Sequence, residues 1–96
     1  MKIDFIKNKN ELCVSLDGRL DTVSAPELDK LLETKLSGIS SLTIDCKELS
    51  YVSSAGLRVL LSAHKKLSGA MKLTGVCELV MEVFEMTGFA DILVIE

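Results

Sequence analysis

Three short apolar runs, over 39–45, 71–74 and 92–95, are separated by two stretches whose apolar residues recur at helical spacing. That alternation restricts the folds open to the chain. In the first stretch Leu57, Leu60, Leu61 and His64 fall at i, i+3, i+4 and i+7, with Leu67 one step further on. A helix is expected to open at Ser53 or Ser54, to run to Leu67 or Ser68, and to stop at Gly69. The second stretch, over 78–86, predicts a helix with Leu79, Val80, Val83 and Phe84 inward and Gly88 as its stop. Strands joined through helices pair in parallel by right-handed crossovers, so the class is α/β with a small mixed sheet.

The upstream part supplies the remaining elements. Ile3 and Phe5 alternate with polar neighbours over 2–6, and Leu12, Val14 and Leu16 do the same over 11–16, with Lys7-Asn8-Lys9-Asn10 as turn composition between them. A β-hairpin follows, its second strand ending in a turn or bulge at Asp17-Gly18. Thr22 and Ser24 are capping candidates for a helix with Pro26 in its first turn. Leu28, Leu31, Leu32 and Leu36 form its apolar face, Glu27, Asp29, Lys30, Glu33 and Lys35 its wet side, and Gly38 ends it.

Composition excludes several classes. A chain of 96 residues, 48% hydrophobic and 26% charged, reads as one compact domain over 1–96. A net charge of −3 and the absence of a basic cluster with interleaved aromatics argue against nucleic acid or anionic membrane as partner. No run reaches transmembrane length and no signal segment precedes the first strand, so a cytoplasmic setting is expected. Cys13, Cys46 and Cys77 are widely spaced and odd in number, which suits reduced thiols packed as small hydrophobes. One histidine leaves no second ligand pair for zinc, and no metal or cofactor is expected.

Catalysis is not visible in the pattern. A serine nucleophile needs a base within hydrogen-bond reach. His64 lies ten residues from Ser54 on one expected helix, roughly 15 Å away at the helical rise. The glycines never cluster into a phosphate-binding loop. What remains is the pair Ser53-Ser54 at the positive end of a helix dipole, where added negative charge is tolerated best. Local chemistry does not choose between the two. Ala55-Gly56 beside them are small and would leave the hydroxyls uncovered.

Tyr51-Val52-Ser53-Ser54-Ala55-Gly56-Leu57-Arg58 resembles the phosphorylation loop of the STAS domain family, specifically of bacterial anti-sigma factor antagonists. Leu16-Asp17-Gly18-Arg19-Leu20-Asp21, running on to Pro26, resembles that family's G-x-L-D block. The likeness spans essentially the whole chain. It implies a mixed five-stranded sheet with about three main helices packed largely on one face. It implies Ser54 as phosphoacceptor, two residues before the glycine, with Ser53 standing where many members carry Asp. Asp21 is implied to lie near the loop and contribute to partner contact, and Asp45 at the end of the preceding strand could sit close too. Arg58, Ser62 and Lys65, on the outer face of the second helix, are candidates for the rim of the same interface, which would also include Ser53, Ala55 and Gly56.

The resemblance further implies a mechanism. An unmodified form would bind an anti-sigma factor with serine kinase activity and free the sigma factor. Phosphorylation on Ser54 would abolish binding, and a PP2C-type phosphatase would reverse it. The alternative is a STAS scaffold subunit, never phosphorylated, of a lipid-transport, transporter or stress-signalling assembly. Oligomeric state is left open by the sequence.

Overall fold

The computed structural model describes all residues, Met1–Glu96. β1 (Lys2–Asn8) and β2 (Glu11–Leu20) form the antiparallel hairpin, with Ile3 opposite Leu16 and Phe5 opposite Val14. Lys9 makes the turn in the left-handed region, at φ 57°. β2 then pairs in parallel with β3 (Ser41–Val52), β3 with β4 (Met71–Thr74), and β4 with β5 (Val94–Ile95). The spatial order is β1-β2-β3-β4-β5. Since the order never reverses, right-handed crossovers carry α1 (Ala25–Lys35), α2 (Ser54–Lys66) and α3 (Glu78–Thr87) over the same face.

That face is the core. Leu12, Val14, Leu16 and Leu20 of β2, Leu42, Ile44 and Cys46 of β3, and Met71 and Leu73 of β4 are buried beneath Leu28, Leu32, Leu57, Leu60, Ala63, Val80 and Phe84 from the helices. The alternate strand residues, Cys13, Ser15, Thr43, Asp45 and Thr74, are half-buried on the uncovered face. No helix is long and apolar enough to cross a membrane.

Several expected boundaries are corrected. β2 does not end at Leu16 but continues to Leu20, and β3 does not end at Asp45 but continues to Val52. The pairing slips twice on the way. Ser15 pairs with Asp45 but Asp17 with Glu48, and Gly18 pairs with Leu49 but Arg19 with Tyr51. β3 thus holds an extra residue at each slip, which is a β-bulge. Inward residues then fall at Ile44, Cys46, Leu49 and Val52, so the two-residue period is lost where the sequence suggested the strand had stopped. The turn or bulge expected at Asp17-Gly18 is displaced: β2 runs through these residues and the extra residues lie opposite, in β3, while Gly18 takes φ 112°, a conformation side chains disfavour.

Leu79 is a second correction: it was expected inward and is exposed. The buried axis of α3 runs through Val80 and Phe84, and Met81 on the other flank is partly covered instead. The last strand is shorter than 92–95 because a turn of 3₁₀ helix (Phe89–Asp91) draws Ile92 out of line.

Candidate functional site

β2 and β3 end side by side, and the two segments singled out in the sequence leave the sheet there. Leu20 pairs with Val52, and the Ser53 N–H donates to the Leu20 carbonyl at 2.8 Å. The chain after Leu20 turns through Asp21 into α1, and the chain after Val52 turns through Ser53 into α2. Asp21 and Ser53 are therefore neighbours across one sheet end.

The two serines have different duties. Ser53 is the N-cap of α2, extended at φ −96° and ψ 175°, and its Oγ accepts from the Gly56 N–H at 3.3 Å. Its carbonyl accepts from the Leu57 N–H at 2.9 Å, so both backbone groups and the hydroxyl are committed. Ser54 is the first helical residue, exposed, and its hydroxyl makes no hydrogen bond within the protein. The N–H groups of Ser54 and Ala55 precede the first intrahelical bond and point out of the helix with its positive end.

Gly56 has another job than the one its size suggested. It is buried, and a Cβ built on it would lie 2.7 Å from Leu20 Cγ and 2.9 Å from the Leu20 carbonyl oxygen. Its smallness lets α2 approach the end of β2; it does not uncover the hydroxyls. Ala55 beside it is half-buried.

Asp21 builds the turn into α1. Its Oδ1 accepts from the N–H groups of Val23 and Ser24, both at 3.1 Å, and its own N–H donates to Ser24 Oγ at 2.9 Å. Ser24 Oγ in turn donates to the Arg19 carbonyl at 2.6 Å. The Ser24 N–H holds the Asp21 carboxyl below the usual carboxylate range; partial burial opposes this, and Val23 N–H and Arg19 add to it. Asp21 Oδ2 is left for Arg19, whose Nε lies 4.0 Å away.

Arg19 and Tyr51 also belong to the site, although the sequence does not single them out. They pair across β2 and β3, and the guanidinium lies over the Tyr51 ring, 4.2 Å from its centroid. Arg19 thereby ties both strand ends to the Asp21 turn. The available signal was its place inside the G-x-L-D block, where a long cation stands at the variable position.

Arg58 and Lys65 are exposed and Ser62 is half-buried, on one stripe of α2 leading away from Ser54. Asp45 is not brought near. With β3 extended to Val52 it sits seven residues upstream of the strand end, on the order of 20 Å along the strand, and its Oδ1 accepts from the Lys47 N–H at 3.0 Å. His64 lies nearly three turns from Ser54 on α2, half-buried, with Nδ1 covered and unpartnered. The three cysteines are free; burial, with smaller effects from Asp45 and Cys77, pushes the Cys46 thiol up to about 12.

Residues 2–96 match the STAS domain family model. The chain is 33% identical over 96 residues to the anti-sigma-B factor antagonist of Bacillus subtilis strain 168, covering 97% of this chain and 88% of that protein. Among solved structures it is similar to an anti-sigma factor antagonist from Mycobacterium paratuberculosis, with a TM-score of 0.87 at 20% identity, over 98% of this chain and 83% of that one. It is also similar to the Bacillus cell fate determinant SpoIIAA in its phosphorylated form, with a TM-score of 0.76 at 16% identity, over 99% and 91% of the two chains. The structural likenesses carry the fold. With the sequence match over nearly every residue, the bulged β2–β3 end and the capped serine pair take their place in a known group: the chain belongs to the STAS domain family.

Proposed function

We propose that this protein is an anti-sigma factor antagonist that works by partner switching, with Ser54 as the phosphoacceptor. The B. subtilis relative, matched over most of its length, carries the antagonist name. The fold neighbour SpoIIAA has been solved in unphosphorylated and phosphorylated forms. The observation that supports Ser54 most is the division of labour at the start of α2. Ser53 holds the cap with its side chain and both backbone groups, whereas the Ser54 hydroxyl is exposed and uncommitted. A phosphate on Ser53 would break the cap; one on Ser54 would not.

The unmodified form binds an anti-sigma factor with serine kinase activity and so releases the sigma factor. Contact is made by the Asp21 turn, Ser53, Ala55 and the Arg58–Ser62 stripe, with Gly56 holding α2 against β2 from behind. Phosphorylation adds about −1.5 to −2 charges, moving the net charge from −3 to roughly −5. Inside an interface that charge is repelled and stripped of water, while the helix dipole and the free N–H groups of the first turn accommodate it in the isolated domain. Binding is lost and the fold is kept. A PP2C-type phosphatase restores the binding form, all in the cytoplasm.

The Ser54→Asp variant tests this. It is expected to keep the far-ultraviolet circular dichroism of the wild type and to bind the anti-sigma factor at least ~30-fold more weakly, the effect of a misplaced charge in a buried contact. Loss of secondary structure, or unchanged binding, would overturn the proposal.

A further inference from the structure

The outer side of α3 carries two parallel rows, of which only Val83 packs in part against the core. Leu79 is 55% exposed and Met86 87% exposed, with half-buried Val83 between them, at i, i+4 and i+7. Glu78, Glu82 and Glu85 repeat that spacing one residue earlier, and all three are exposed. A row of carboxylates therefore runs alongside an apolar row. α3 contains no basic residue, and none of its glutamates is in an ion pair, the two in the protein being Arg19–Asp21 and Lys72–Glu96. Val80 and Phe84 already anchor the helix to the core, while most of Met86 and about half of Leu79 stay in water.

We propose that this face docks a basic amphipathic helical segment of a partner protein. The partner's apolar side chains would cover Leu79, Val83 and Met86, and its Lys or Arg residues would lie against the glutamate row. The charge pattern selects this occupant. A second copy of α3 would bring like-charged rows together when antiparallel, which costs affinity, and in either orientation it has no basic residue to meet the carboxylates. An anionic membrane or nucleic acid would be repelled by the same three carboxylates. Anchors at i, i+4 and i+7 are the spacing by which one helix reads another, and Met86 adapts its shape to the side chain it meets. The inference does not rest on the partner-switching reading, and either can fail alone.

The probe is a synthetic helical peptide with leucines at i, i+4 and i+7 flanked by lysines, titrated into the isotope-labelled full chain and followed by NMR. Shifts centred on Leu79, Val83, Met86 and the three glutamates are expected. A scrambled peptide of identical composition should bind about 10-fold more weakly, and Met86→Gln and Glu82→Lys should each weaken binding by a similar factor. Both substituted residues are exposed, so an unchanged backbone spectrum will show that the fold is intact. Shifts centred elsewhere, or equal binding of the scrambled peptide, would overturn the proposal. So would shifts of the same resonances with protein concentration alone, which would mean that a second copy covers the face.

Discussion

Gly56→Ala sets helix propensity against packing. An alanine inside a helix is about 1 kcal/mol better than glycine, so propensity alone predicts a stabilised protein. The surroundings predict the reverse. The new Cβ would lie 2.7 Å from Leu20 Cγ, 2.9 Å from Leu20 Cδ2 and 2.9 Å from the Leu20 carbonyl oxygen. Leu20 is 0% exposed, so its side chain has no space to move into. Its carbonyl cannot withdraw without stretching the 2.8 Å bond from the Ser53 N–H. Overpacking of this kind costs about 1–3 kcal/mol, and a weakened backbone hydrogen bond adds about 1 kcal/mol. After the propensity gain the net loss is about 1–3 kcal/mol, or at least ~4 °C in melting temperature for a domain of this size. Urea unfolding and a thermal melt, both followed by circular dichroism, measure it. A variant that melts at or above the wild-type temperature would refute the argument that α2 is seated on Leu20 through Gly56.

The other predictions concern the two turns. Ser53→Ala should destabilise the protein by about 0.5–1 kcal/mol, the lower part of the range for a lost N-cap given its 3.3 Å bond, whereas Ser54→Ala should stay within about 0.5 kcal/mol of wild type; paired urea titrations separate them. Asp21 has its carboxyl pKa lowered on folding, so its ionised form stabilises the fold above the unfolded value of 3.8, and that contribution is lost as pH falls through the lower folded value. Melts of wild type and Asp21→Asn should therefore differ most near neutral pH and converge in acid below 3.8; a constant gap across the series would mean that the carboxylate charge is not what holds the turn.

Legibility of the fold followed the regularity of each element. The second strand of the hairpin, the first turn of α1 at Pro26 and the inward face of α2 keep one period throughout, and the sequence shows them directly, whereas Phe5 of the first strand alternates like a core residue and is exposed. β3 does not, because its two bulges put Cys46, Leu49 and Val52 three residues apart, a spacing that belongs to no strand. That hid the true end of the strand and with it the distance between Asp45 and the loop. Leu79 misled for a different reason: an apolar residue next to the buried stripe looks the same whether it is core or surface.

At the site, residue types were legible and their duties were not. The sequence singles out a serine pair before a helix, but only the hydrogen bonds separate the cap from the free hydroxyl. It shows Gly56 as small, but only the Leu20 contacts show which way that smallness faces. The cation–π contact of Arg19 with Tyr51 joins residues that are distant in sequence, so the G-x-L-D block could point to Arg19 but not to its partner.

Peptide mass spectrometry of the protein purified from its own cells, with and without treatment by ATP and a partner anti-sigma kinase, reads out the proposed switch at Ser54 itself. One phosphate is expected, mapped to Ser54, removable by a PP2C-type phosphatase and absent from the Ser54→Ala variant. A phosphate on Ser53 would contradict the division of labour between cap and acceptor. No phosphate under any growth condition, and none after kinase treatment, would contradict the switch itself and leave a constitutive scaffold subunit as the reading.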